Sequence, residues 1–277
     1  MVAAMSQEEG APSLALEPMA PPARPSRPER DAATPDRGKV ERELGRESVG
    51  RLLVRYSLPA IVASTVASLY NVVDRVFIGQ GVGPYAISGL AITLPIVNLA
   101  IAFGAMVGVG ASALTSIRLG EGRPEEAERI LGTTVVLNAV LGTAYSLCIL
   151  LFLESLLRSF GASAETLPYA REFLQVILVG NPFFHSYMGL NNIMRASGHP
   201  RKAMVTTLLT VAVNLALAPL FIFVFRWGIR GAALATVVGQ FTGLVFTVTH
   251  FCQRERNLRF RVGIFRVDLA IVRGILS

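Results

Sequence analysis

Leu53–Ile78 reads LVRYSLPAIVASTVASLYNVVDRVFI. The stretch is long and apolar enough to cross a bilayer as one helix, which takes about 20 mostly apolar residues. It holds a single carboxylate, Asp74. A carboxylate in hydrocarbon costs about 2.5–3.5 kcal/mol on insertion scales, so such a group normally faces water, a partner or the membrane surface. Asp74 stands about one turn from the end of its segment. Its position alone therefore fits an interfacial residue as well as a functional one.

Five more segments of similar character follow, giving six: 53–78, 86–117, 130–153, 172–194, 203–225 and 231–252. The fold class expected is an all-α integral membrane protein, a six-transmembrane-helix bundle. The composition agrees: 52% hydrophobic, 16% charged, mean hydropathy +0.51, against roughly 25% charged residues in soluble domains. The second segment exceeds one crossing, and Pro95 inside it predicts a kink or a projecting end. Gly104–Gly108 and Gly239–Gly243 are GxxxG pairs, which permit close helix approach.

The net charge of +7 does not point to nucleic acid, because the basic residues lie between apolar runs and not on one amphipathic face. They order the topology instead. With the N-terminus cytoplasmic, only Arg75, Arg158, Arg171, Arg226 and Arg230 of the 26 Lys and Arg residues fall outside. The positive-inside rule then places both termini in the cytoplasm of a multi-pass protein of the cell (inner) membrane, with Asp74 in the outer half of its helix. Residues 1–48 contain PMAPPARPSRPER and read as a disordered cytoplasmic tail. Residues 49–260 form the six-helix lobe, and 261–277 a cytoplasmic linker. Cys148 and Cys252 sit in different segments without a CxxC and read as inert packing residues. His185, His199 and His250 are scattered and lack metal-ligand spacing. His185, near the Asn181–Pro182 break expected in the fourth span, reads as a satisfied core histidine more readily than as a proton relay. No nucleophile–base pair or phosphate loop suggests an enzyme: Gly120–Gly122 is followed by RPEE, without a P-loop lysine.

Polar residues inside the spans are the remaining signal. Ser64, Ser68, Asn71 and Asp74 follow at steps of four, three and three, within one stripe of the first helix. Thr206, Thr210 and Asn214 recur every four residues in the fifth span; the next step lands on Ala218, before Pro219. Thr236, Gln240 and Thr247 share a face of the sixth span with Gly243. A Ser or Thr can bond its own helix carbonyls; the Asn214 amide is less easily satisfied that way.

Together these stretches resemble the multidrug and toxic compound extrusion (MATE) family. Asn71–Pro95, NVVDRVFIGQGVGPYAISGLAITLP, is similar to its first and second helices. RLGEGRPEEAERILG (118–132), RASGHPRKAM (195–204) and NLALAPLFIFVFRWGIRGAALATVVGQ (214–240) resemble its later loops and helices. The resemblance runs from about residue 50 to 277. It implies one lobe of a twelve-helix transporter of two related six-helix lobes. GIFRVDLAIVRGILS (263–277) looks like the start of a second lobe, and its AIVRGILS echoes LLVRYSLP of the first helix.

The resemblance implies an antiporter that exports organic, cationic or neutral drug-like compounds, coupled to Na⁺ or H⁺ and using no other cofactor. Its expected partners are the lipid bilayer, the small organic substrate and a second six-helix lobe or second copy. Residue by residue, it assigns ion or proton coupling to Asp74, Asn214 and Thr236. Ser68, Asn71, Thr210 and Gln240 are expected to line the substrate cavity, and no metal site is expected from the histidines. Ala218 stands where many members carry a second Asp, which removes an oxygen ligand pair and favours protonation of Asp74 as the coupling event, or weak coupling overall, above Na⁺ binding. A lipid-linked oligosaccharide flippase of the same architecture, or a non-transporting half-lobe, are the alternatives. The flippase would be expected to line its cavity with basic residues.

Overall fold

A computed structural model of the chain describes residues 49–253, Leu258, Phe260 and Leu269–Leu276. The expected tail and most of the linker lie outside the described residues. The chain folds into helices: α1 (Val49–Gly81), α2 (Pro84–Gly120), α3 (Pro124–Leu151), the short α4 (Leu153–Ser159), α5 (Leu167–Ala196), α6 (Pro200–Pro219), α7 (Gly228–Cys252) and the short α8 (Leu269–Leu276). A π-helical turn, Leu220–Val224, extends α6.

The turns explain why the long helices stop and restart where they do. α2 ends in a Schellman motif: Gly122 adopts φ 77°, and the Arg123 N–H donates to the Arg118 carbonyl at 2.9 Å. Pro124 then opens α3, where a missing N–H costs nothing. α5 ends the same way, with Gly198 at φ 89°, His199 N–H on the Met194 carbonyl at 3.1 Å, and Pro200 opening α6. Short turns of this kind make consecutive helices antiparallel neighbours.

Pro95 and Pro182 both lie inside continuous helices, α2 and α5. The break expected at Asn181–Pro182 does not occur. Among the described residues, five helices are long and apolar enough to cross a membrane: Ser57–Gly81, Pro84–Gly120, Pro124–Leu151, Pro200–Val224 and Gly228–Cys252. The remaining expected span, 172–194, falls within α5, whose 30 residues are long enough to cross but more polar. α5 tolerates Asn181, His185, Ser186 and Asn191 on its buried side because it packs against α2, α3, α6 and α7. Its polar groups meet protein where those of an outer helix would meet lipid.

The two GxxxG pairs mark close crossings. A Cβ on Gly239 would lie 2.8 Å from the Thr210 carbonyl oxygen of α6, and one on Gly104 would lie 3.3 Å from the His185 ring of α5. One apolar cluster joins α2, α3, α5 and α7 at the end where α8 docks, through Val107, Leu131, Leu190 and Phe251 with Ile275. A second, at the opposite end, gathers Ile78, Phe173, Ala218, Ile222 and Ile229. Outward faces carry exposed apolar residues such as Leu69, Val72 and Leu147, as expected of a multi-pass membrane protein. Cys148 and Cys252 are exposed, not packed inside as their apolar surroundings suggested.

At the end nearer Asp74, Arg158 donates to Glu154 at 2.8 Å and Arg230 pairs with Glu172 at 3.2 Å. The Arg158 hydrogen bond holds the Glu154 carboxyl below the usual range.

Candidate functional site

A cavity of about 430 Å³ lies between α1 on one side and α2, α5, α6 and α7 on the other. Its size is that of small-molecule sites, roughly 300–1,000 Å³. Tyr70, Asn71 and Asp74 face it from α1, Thr210 and Asn214 from α6, and Thr236 and Gln240 from α7. The four-residue steps on α6 and α7 put each pair on one face.

Ser68 is a correction. It is exposed and does not line the cavity. At about 100° per residue, the six positions between Ser68 and Asp74 turn it about 120° away from the carboxylate. The inward stripe of α1 is Ala67, Tyr70, Asn71 and Asp74, and Ser64 is likewise exposed. Steps of four, three and three each look local, yet summed they sweep off the face.

A small hydrogen-bond network organises the polar end of the cavity. Thr236 donates its hydroxyl proton to the Ala232 carbonyl at 3.1 Å. A hydroxyl has one proton and two acceptor lone pairs, so Thr236 can only accept from its other neighbours. Asn214 Nδ2 donates to Thr236 Oγ1 at 2.9 Å, and the Tyr70 hydroxyl lies 3.4 Å from the same oxygen, necessarily as donor. This fixes the orientation of the Asn214 amide. Its Oδ1 points away from Thr236 and meets no donor among the described residues, and neither does Asp74 Oδ1. Asp74 is 9% and Asn214 3% exposed. Two buried acceptor oxygens therefore stand at the cavity with no N–H or O–H to satisfy them, a state that a proton or a cation relieves.

Both Thr236 lone pairs are committed, so its oxygen is not free to join a cation cage. Ala218, one turn beyond Asn214, is 1% exposed and packs among Ile78, Ile222 and Ile229. That position is part of the apolar floor, and the unpartnered buried oxygens at the cavity are Asp74 Oδ1 and Asn214 Oδ1. Among the described residues no group of three His, Cys, Asp or Glu could hold a metal. The structure does bring His199 and His250 together, ring centroids 5.0 Å apart, which their sequence separation hid.

The rest of the lining is aromatic and aliphatic: Tyr145, Phe173, Phe184 and Tyr187 with Leu90, Ile96 and Leu178. Tyr145 donates to the Ile96 carbonyl at 2.6 Å and Tyr187 shares a 3.3 Å hydrogen bond with Thr207, so their hydroxyls are satisfied and their rings face inward. Arg75 is the single basic residue in the lining among the described residues. Sequence reasoning passed over Tyr70, whose position one turn before Asp74 was the available signal.

Comparison with known proteins places this geometry. A family model described as MatE matches residues 59–220. The Multidrug export protein MepA of Staphylococcus haemolyticus (strain JCSC1435) is 28% identical over 78% of this chain and 48% of its own length. MepA of Staphylococcus aureus (strain NCTC 8325 / PS 47) is 27% identical over 75% of this chain and 46% of its own. A solved structure titled as the outward-facing conformation of a multidrug resistance MATE family transporter of the MOP superfamily superposes with a TM-score of 0.78. It is 29% identical, covering 84% of this chain and 52% of that one. The chain spans about half the length of the curated relatives it matches.

Proposed function

Since the chain belongs to the MatE family, we propose that it acts as one lobe of an efflux antiporter for organic cationic or neutral compounds, with Asp74 as the coupling group. The observation that carries this reading is the pair of unsatisfied acceptor oxygens, Asp74 Oδ1 and Asn214 Oδ1, buried at the cavity between α1, α6 and α7. An arriving proton or Na⁺ satisfies them, and its departure restores a buried negative charge that attracts a cationic substrate. Asp74 is the single carboxylate in the lining among the described residues, and a hard cation prefers several oxygen ligands. The reading therefore favours H⁺ over Na⁺.

The aromatic lining supports an organic cation, since ring faces attract positive charge. The lining does not favour the flippase alternative, because Arg75 alone would meet a pyrophosphate. Transport requires a second six-helix lobe, joined to this chain or supplied by another copy. The proposed placement is residues 49–260 as the membrane lobe, with both termini cytoplasmic.

The test is Asp74→Asn in this lobe joined to a second lobe. The expected result is loss of drug efflux at unchanged membrane abundance. Undiminished efflux would remove Asp74 from the coupling role.

A further inference from the structure

The interface of α2, α3 and α5 holds a second polar interior that the cavity does not use. His185 is 0% exposed. It lies beside the backbone of Ala100, yet neither ring nitrogen makes a well-formed hydrogen bond with a described residue. Asn138 of α3 is also 0% exposed, and both its amide nitrogen and oxygen lack a partner among the described residues. Polar groups buried without partners are destabilising. Nearly all such groups in folded proteins find a partner, commonly ordered water.

Three glycines border these two groups. Gly104 of α2 and Gly142 of α3 flank the His185 ring; a Cβ on either would lie 3.3 Å from it. Gly189 of α5 faces the Asn138 amide, where a Cβ would collide. His185 and Gly189 are one turn apart on α5, as are Gly142 and Asn138 on α3, and the antiparallel pairing brings the two turns level. The ring and the amide therefore stand about one helical turn apart along the interface, within reach of hydrogen-bonded water. Asn181, one further turn along α5, donates to the Gly142 carbonyl at 3.3 Å and lines the cavity. The polar interior thus continues to the cavity wall.

We propose that the α2–α3–α5 interface binds water at His185 and Asn138, an internal hydration site through which His185 exchanges its ring proton with the cavity. The ligand is water, held by one imidazole nitrogen and the Asn138 amide. Asp74 lies on α1 across the cavity and takes no part in this site, so the proposal stands apart from the coupling reading.

The test is water-edited solid-state NMR of the isotopically labelled full chain in liposomes. The chain has three histidines, so His185→Gln identifies the His185 ring signals by their loss. If that variant does not insert, His199→Gln and His250→Gln assign it by subtraction. The expected result is magnetisation transfer from water to the His185 ring as rapid as to the exposed Asn71 amide. Transfer as slow as to the buried Leu190 methyls overturns the proposal and leaves the Asp74 reading intact. In Asn138→Leu the rapid transfer to His185 should be lost; its persistence overturns the assignment of the water to Asn138. Loss of efflux in Asp74→Asn would not alter either readout.

Discussion

Removing the Thr236 hydroxyl while keeping its shape is the sharpest probe of the site, and Thr236→Val does so. The substitution strips the acceptor from Asn214 Nδ2 at 2.9 Å and from the Tyr70 hydroxyl at 3.4 Å. Two magnitudes compete. A buried donor left unsatisfied costs about 1–3 kcal/mol. Interhelical hydrogen bonds in one measured membrane protein are worth only about 0.6 kcal/mol on average and at most about 1.7. The smaller figure applies here, because both donors border a cavity that can admit water in place of the lost hydroxyl.

The Asn214–Thr236 coupling should therefore be about 0.6 kcal/mol, or roughly threefold in an unfolding equilibrium. The assay is a double-mutant cycle of Asn214→Ala and Thr236→Val, with unfolding followed in lipid bicelles or detergent. Thr236→Ser, which keeps the hydroxyl, should retain the coupling. A coupling of zero would show that the 2.9 Å contact does not tie α6 to α7. It would also free the Asn214 amide to rotate, removing the reason its Oδ1 faces away from Thr236.

Ser68→Ala in the two-lobe protein is expected to leave efflux unchanged, measured as dye accumulation, because Ser68 lies off the cavity face. Gly239→Val should destabilise the lobe by about 1–3 kcal/mol, read as a lowered thermal midpoint, because its Cβ would press on the Thr210 carbonyl at 2.8 Å. Gly110→Leu should speed hydrogen exchange at Leu269–Leu276, since the side chain would occupy the place of the Ile275 carbonyl. Glu126→Gln should leave the thermal midpoint unchanged. Arg118 keeps its 2.8 Å contact with Glu121, and the pairs around it are solvent-screened.

The six long helices were legible because apolar length is a strong signal, and the Gly-x-Pro and Gly-Pro turns punctuate it. α5 is the instructive case. Its length was read correctly, yet a break was expected at Asn181–Pro182, amid polar residues such as His185. The helix runs on because its position inside the bundle lets neighbouring helices receive those groups. Asp74, Asn214 and Thr236 are far apart in sequence, and their meeting at one cavity was foreseen through the family resemblance alone. Ser68 was misplaced because a step-by-step spacing rule ignores accumulated rotation. Tyr70 went unnoticed because an aromatic residue on an apolar helix looks like packing until its hydroxyl is seen on Thr236. Ala218 was read as a missing ligand. The apolar cluster around it shows that a carboxylate introduced there would have to displace Ile78 or Ile222 contacts before reaching the cavity.

Packing also decides where a change of charge can act. α5 is enclosed by α2, α3, α6 and α7, and its glycine crossings draw it close to them. α1 is the least buried of the candidate spans, with 11% of its apolar window inside the protein, and it packs chiefly along α6. Asp74 and Tyr70 thus ride on the helix with least to repack, while Asn214 and Thr236 belong to the α6–α7 pair locked at Gly239 and Gly243. The Tyr70–Thr236 contact, at 3.4 Å, is a long hydrogen bond between the two groups. A charge gained or lost at Asp74 therefore meets its smallest resistance in α1, since interfaces with few buried side chains can shift where close-packed ones cannot.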